Sequence, residues 1–231
     1  MINFTKKKTK KTKQEVEEES SEEQQGGAVS LADILGGNQA DVPEKRSIMF
    51  VGEVTEDKAA ELISAMLVLA QTKSKKDEDD EDEENEEEGR NDDIKLYINT
   101  YGGSADEMFA IYDTMEWCKQ FCDIQTIGLG KVMSAGTLLL AAGTKGKRFI
   151  SKHCRVMMHS VNGGHVGELH NLQNEMEQMA GLQESYIQAM SDETRMTKKQ
   201  IQTLINRKIN VYLNAEETIG KGLADEVWDG R

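Results

Sequence analysis

The stretch IKLYINTYGGSADEMFAIYDTM, Ile94 to Met115, changes its period halfway along. Ile94 to Thr100 reads as a strand. Tyr101 to Asp106 reads as a turn, with Gly102 and Gly103 where the chain bends tightly. From about Ala105 to Phe121, the residues Met108, Ile111, Tyr112, Met115 and Cys118 recur at three- and four-residue spacing, which is one face of a helix. A strand that runs through a glycine turn straight into a helix is half of a parallel crossover unit.

The same order repeats on both sides. SIMFVG (Ser47 to Gly52) predicts a strand, and Glu56 to Thr72 has helical spacing. CDIQTIGLG, from Cys122, is the next strand, and an apolar helix opens at Ser134. KRFIS and CRVMMHS predict two short strands, and VNGGHVGE after them is glycine-rich and extended. A long amphipathic helix runs from about Glu168 to Met190, its Leu169, Leu172, Met176 and Met179 spaced for contact with another helix. TKKQIQTLINR is a further helix, and VYLNAEETIGKGLADEVWDG closes the chain as strand, helix and strand. The expected class is α/β with parallel strands, and the site belongs where strand ends meet helix starts.

Composition bounds the rest. The chain has 231 residues, 37% hydrophobic and 30% charged, with a formal net charge of −14. So acid a surface argues against a nucleic acid backbone as partner. Lys6 to Lys13 is a basic block and Glu15 to Glu23 an acidic one, so residues 1–44 are expected to be a disordered charged tail before a domain at 45–231. LADIL (Leu31 to Leu35) is its one apolar patch, a transient helix or a docking segment. A second acidic run, within an insertion at about 73–93, is expected to be solvated and disordered. Cys118, Cys122 and Cys154 supply neither a zinc set nor a disulfide framework, and read as reduced, buried residues of a cytoplasmic protein. No signal peptide and no membrane-length apolar run is evident, and no membrane partner is expected.

Two residues carry chemistry. Ser134 stands between a strand-like run and an apolar helix, followed by Ala135 and Gly136. It can cap that helix, or act as a nucleophile with the free N–H groups of the first turn as an oxyanion site. The nucleophile elbow G-x-S-x-G is not matched, because Val132 takes the first glycine's place. His159 ends the run CRVMMH; if Met158 faces the core, strand alternation turns His159 to the other face. A histidine there is structural or a general base.

The ordered set YINTYGGSADEMFAIYDTM, GLGKVMSAGTLLLAAGTKGKR, CRVMMHSVNGGHVGE and VYLNAEETIGKGLADEV resembles the proteolytic subunit family of the Clp protease, from about Ser47 to the end. The resemblance implies a crotonase-like core of repeated strand–strand–helix units with a protruding handle helix. It also implies a ring oligomer, two stacked seven-membered rings of one chain or a mixed ring. It makes Ser134 the nucleophile, His159 the general base, Asn210 the third triad member, and Gly103 and Ala135 the oxyanion N–H donors. Gly102, Val161, Asn162, Gly163 and Gly164 fall on the substrate-binding segments. The activity implied is serine-type hydrolysis of peptides or unfolded proteins, with no metal or organic cofactor and with an ATP-dependent unfoldase as a candidate partner.

The sequence departs from the family at several points. The family usually carries aspartate where Asn210 stands, and an amide oxygen can accept a bond from imidazole but brings no charge. Tyr101 replaces a proline of the turn, and Lys208 and Ile209 replace an aspartate–arginine pair. No apolar axial segment is recognisable, and the acidic insertion has no family counterpart. Two alternatives stay open. One is a catalytically weak or inactive ring subunit. The other is an acyl-CoA hydratase or isomerase on the same core, which would need carboxylate catalysts and a coenzyme A pocket.

Overall fold

The computed structural model describes residues 46–72, 91–164, 166–207 and 209–230. They all lie in the contact unit Pro43–Arg231; the expected tail with its LADIL patch, and most of the acidic insertion, lie outside the described residues.

The strands are β1 (Ser47–Val54), β2 (Asn91–Gly103), β3 (Cys122–Met133), β4 (Arg148–Ile150), β5 (Arg155–Met158), β6 (Val211–Leu213) and β7 (Glu226–Val227). The helices are α1 (Glu56–Gln71), α2 (Ala105–Cys118), α3 (Ala135–Ala141), α4 (Leu169–Glu193), α5 (Lys198–Ile205) and α6 (Ala215–Lys221). The sheet runs β1-β2-β3-β4-β7, every neighbouring pair parallel. The expected class, α/β with a mostly parallel sheet of strand–helix units, is the one found.

β2 begins at Asn91, earlier than the Ile94 start read from the sequence. Its polar opening is held from outside the strand: Asn91 Nδ2 donates to Ala70 O (2.7 Å), and Asp93 pairs with Lys147 (2.7 Å). Further along, Ile94, Leu96 and Ile98 are fully buried, because alternate residues of a strand share one face. α1, α2 and α3 cover that face. Every residue of α3 is buried, as a helix apolar on all sides requires.

β3 divides the sheet. Its Thr126–Gly128 segment pairs with β4, and its Lys131–Met133 segment pairs with β5, both parallel. The register against β2 slips at this point, from Ile98↔Gly128 to Thr100↔Val132. β5 then pairs antiparallel with β6. The fork aims the ends of β2, β3 and β5 at one place.

Arg148 and Asp225 close the far side. Arg148 is 4% exposed. Its Nε and Nη2 donate to the Asp225 carboxylate (2.9 and 2.6 Å), and its Nη1 donates to the carbonyls of Ala141 and Glu193 (3.1 and 2.6 Å). A buried guanidinium has to be matched this fully. TKGKR and GLADEV, from two of the stretches that carry the resemblance, therefore supply the two halves of one ion pair. Burial alone would raise the Asp225 carboxyl, but the Arg148 guanidinium and the Gly146 and Arg148 N–H groups outweigh it and hold the carboxyl below its usual range.

α4 is buried only toward its end, at Tyr186, Ile187, Ala189, Met190 and Glu193. Leu169 and Met176, from the apolar stripe read in the sequence, are exposed. All three cysteines are buried, and none is in a disulfide. Burial pushes the Cys118 and Cys154 thiols up to about 12. Among the described residues no helix is long and apolar enough to cross a membrane.

Candidate active site

Ser134 stands where β3 turns into α3, and its backbone is unusual. With φ 53 and ψ −123, it is the one non-glycine residue at positive φ among the described residues. A side chain in this region costs about 1–3 kcal/mol, and surroundings must over-determine it. They do. Ser134 N–H donates to Met157 O on β5 (2.8 Å), and Ser134 O accepts from Thr137 N–H (2.9 Å) and Thr137 Oγ1 (2.6 Å).

The hydroxyl is not a helix cap, the commoner use of a serine at this position: it makes no capping bond to the first turn of α3. It lies 2.8 Å from His159 Nε2 instead. His159 follows β5, where Val156 and Met158 are fully buried, and strand alternation delivers the half-buried imidazole to the serine. A hydroxyl this close to an imidazole nitrogen can pass its proton to it and become nucleophilic.

The glycine end of β2, which carries the strand on to Gly103 where the sequence predicts a turn, packs against this pair. Gly102 has φ +97, and a Cβ there would sit 2.5 Å from Ser134 Cβ and 2.8 Å from Met133 O. Gly136 is needed for the same reason: its Cβ would meet Thr100 Cγ2 at 2.4 Å. The Gly102 N–H is engaged by Thr100 Oγ1 (2.9 Å). Ala135 N–H opens α3, where a helix leaves its first donors without intrahelical acceptors.

A cleft of about 280 Å³ gathers Gly103, Ser134, Ala135, His159, Val161 and Asn162. Gly163 and Gly164 continue the chain beyond it, exposed, with Gly163 passing close to Met179 of α4. Asn210 is not joined to the pair. It is exposed, directly precedes β6, and makes no hydrogen bond to His159. The β5–β6 register ends at Met158↔Val211; one more step along it would set Asn210 across from His159.

Sequence reasoning missed the apolar wall. Met108 from α2 and Met179, Leu182 and Tyr186 from α4 line the cleft beside Ser134. Met108 and Met179 had registered only as helix-stripe residues. Thr137 was missed as well, although the one polar side chain of AGTLLLAAG, three residues after Ser134, was a visible signal.

The family model described as Clp protease matches residues 85–231. The ATP-dependent Clp protease proteolytic subunit 2 of Corynebacterium glutamicum is 34% identical over 180 residues, 78% of this chain and 80% of that protein. The protein of the same name from Thermobifida fusca is 32% identical over 79% of this chain and 81% of its own length. That from Synechococcus sp. (strain CC9605) is 34% identical over 81% and 85%. With the parallel sheet, the forked β3 and the Ser134–His159 pair at its tip, the chain belongs to the Clp protease family.

Proposed function

We propose that this chain is a serine-type endopeptidase that cleaves peptides or unfolded proteins through an acyl-enzyme. The observation that carries the proposal is the 2.8 Å Ser134 Oγ–His159 Nε2 contact at a serine held at φ 53. Ser134 Oγ attacks the scissile carbonyl while His159 Nε2 takes its proton. The N–H groups of Ala135 and Gly103 hold the oxyanion. The tetrahedral adduct collapses, His159 returns the proton to the leaving amine, and an ester to Ser134 remains. Water, deprotonated by His159, then hydrolyses that ester and restores the serine.

The substrate backbone lies along Val161, Asn162, Gly163 and Gly164 and beside the Gly102–Gly103 turn, bound through main-chain bonds that tolerate many sequences. Asn210, not bonded to His159 in the single chain, reaches the imidazole with its amide oxygen only once the subunits assemble. The chain works as a ring of one or two kinds of subunit in the cytoplasm, with an unfoldase as the source of extended substrate.

One observation favours the alternative of a weak or inactive ring subunit: Asn210 is exposed and not bonded to His159. A fluorophosphonate probe and a short fluorogenic peptide separate the two. The proposal expects labelling at Ser134 and cleavage, both abolished by Ser134→Ala without loss of assembly. An unlabelled, inert wild-type chain that still assembles would establish the alternative.

A further inference from the structure

We infer that Tyr186 and Thr137 are positioning residues, a two-hydroxyl relay by which α4 holds Ser134 in its reactive backbone conformation. The inference rests on Ser134 acting as the nucleophile and adds how that serine is set.

Thr137 Oγ1 is 2.6 Å from Ser134 O and 2.7 Å from Tyr186 Oη. A threonine hydroxyl has one proton. The Ser134 carbonyl can only accept, so Thr137 spends that proton there, and Tyr186 must donate to Thr137. The order is fixed: Tyr186 O–H to Thr137 Oγ1, Thr137 O–H to Ser134 O. Tyr186 is 6% exposed and Thr137 fully buried, so water does not compete for either hydroxyl. Burial pushes the Tyr186 hydroxyl up to about 12, which keeps it a neutral donor throughout the neutral range.

The carbonyl at the end of the relay belongs to the single non-glycine residue at positive φ among the described residues. Rotating Ser134 back toward an ordinary backbone would swing that carbonyl away from Thr137. The relay therefore opposes the relaxation that would carry Oγ away from His159. Tyr186 is anchored in turn: seven residues on, Glu193 accepts from Tyr112 Oη through its carboxylate (3.1 Å) and from Arg148 Nη1 through its carbonyl (2.6 Å). The root of α4 is thus tied to the sheet at one end and to the nucleophile at the other. The tyrosine ring also lines the cleft, so the ring and the hydroxyl have separable roles.

Tyr186→Phe keeps the ring and removes the relay. It should lower kcat for a short peptide, and the rate of Ser134 labelling by a fluorophosphonate, by about tenfold, as loss of one buried hydrogen bond predicts. KM should not change. Thr137→Val should do the same, and Thr137→Ser, which keeps the hydroxyl, should retain most of the rate. The double variant Tyr186→Phe/Thr137→Val should be no slower than Thr137→Val alone, because the two act as one chain.

Wild-type labelling and turnover in Tyr186→Phe would overturn the relay and leave the peptidase proposal standing. A Thr137→Ser variant as slow as Thr137→Val, or a rise in KM in place of a fall in kcat, would overturn it too, since both mark a disturbed pocket. A wild-type chain inert to the probe would overturn the nucleophile, and the relay with it.

Discussion

Gly102→Ala places one methyl group where the structure has no room for it. The new Cβ would lie 2.5 Å from Ser134 Cβ, 2.8 Å from Met133 O and 3.1 Å from Ala135 N. Carbon atoms rest at about 3.5–4.0 Å, so the turn and the serine must part by roughly 1 Å. Neither neighbour is a flexible tip. Met133 O and Ala135 N are backbone, and Ser134 is pinned through its own N–H and carbonyl. The 2.8 Å Ser134–His159 contact would stretch toward or past about 3.5 Å, where a hydrogen bond is lost. A misplacement of about 1 Å at a reacting atom costs on the order of 10²-fold in rate.

Stability falls by two separate routes. An alanine at φ +97 costs about 1–3 kcal/mol, and forced overpacking about 1–3 more. Together these lower Tm by on the order of 5–20 °C for a domain of this size. Gly146→Ala is the control, because Gly146 sits at φ +88 with nothing within 4 Å of its would-be Cβ. It carries the backbone strain without the clash. Thermal unfolding and fluorophosphonate labelling of both variants read the two effects. Gly102→Ala should melt below Gly146→Ala and label about a hundredfold more slowly than wild type. If the two variants melt together, or Gly102→Ala labels at the wild-type rate, the close approach of the glycine turn to Ser134 is not what sets the nucleophile.

Asp225→Asn should destabilise the fold by about 3–5 kcal/mol at neutral pH, because it strands the buried Arg148 guanidinium. The Asp225 carboxyl is held below its usual range when folded, so its contribution is complete above the unfolded pKa and is lost as pH falls through the folded one; the Tm gap between wild type and Asp225→Asn should narrow below about pH 4. The buried thiols of Cys118 and Cys154 should resist alkylation by iodoacetamide at pH 8 in the folded chain and react on denaturation, read by mass; rapid native labelling at either would show that its packing opens. Asn210→Asp should raise kcat several-fold, since a carboxylate stabilises the imidazolium that an amide only orients; equal peptide turnover at every pH, with assembly intact, would remove position 210 from the catalytic group.

The fold was legible wherever a local period carried it. The switch at Gly102–Gly103 from strand to helix, and the stripe Met108, Ile111, Tyr112, Met115 and Cys118, needed only neighbours in sequence; four of the five are buried and Tyr112 is partly buried. The fork of β3 was not legible. Which strand Thr126–Gly128 pairs with, and which Lys131–Met133 pairs with, is decided by β4 and β5 competing for one edge, and no local pattern records that. The Arg148–Asp225 pair was hidden likewise: the two residues stand 77 apart in sequence, and only the sheet order brings β4 beside β7. At the site, Ser134 announced itself by its place between two elements, but a cap and a nucleophile share that place. Only the backbone angles and the partner of Oγ separate them. The apolar wall comes from α2 and α4, whose stripes say that a residue is buried and not what it is buried against.

Asn210 brings these limits to one residue. Its neighbours on either side are made by different forces. Val211 to Leu213 are fixed by the ladder with β5, and Leu213 is 4% exposed, so the strand that follows Asn210 is anchored. Before it, α5 ends at Ile205, and Asn206, Arg207 and Ile209 are exposed. Opposed residues on antiparallel strands share a face, with Cβ atoms about 4.5–5.5 Å apart. Continued by one step, the register would give Asn210 the side of the sheet that His159 occupies. Ser134 and His159 are both placed by β3 and β5 within this chain. On the proposed mechanism, the nucleophile and base are built into the core, and the orienting residue hangs on its edge. An assembly contact over residues 206–210 would complete the His159 environment. Activity would then rise with protein concentration as subunits associate, even though Ser134 and His159 are already in contact in the single chain.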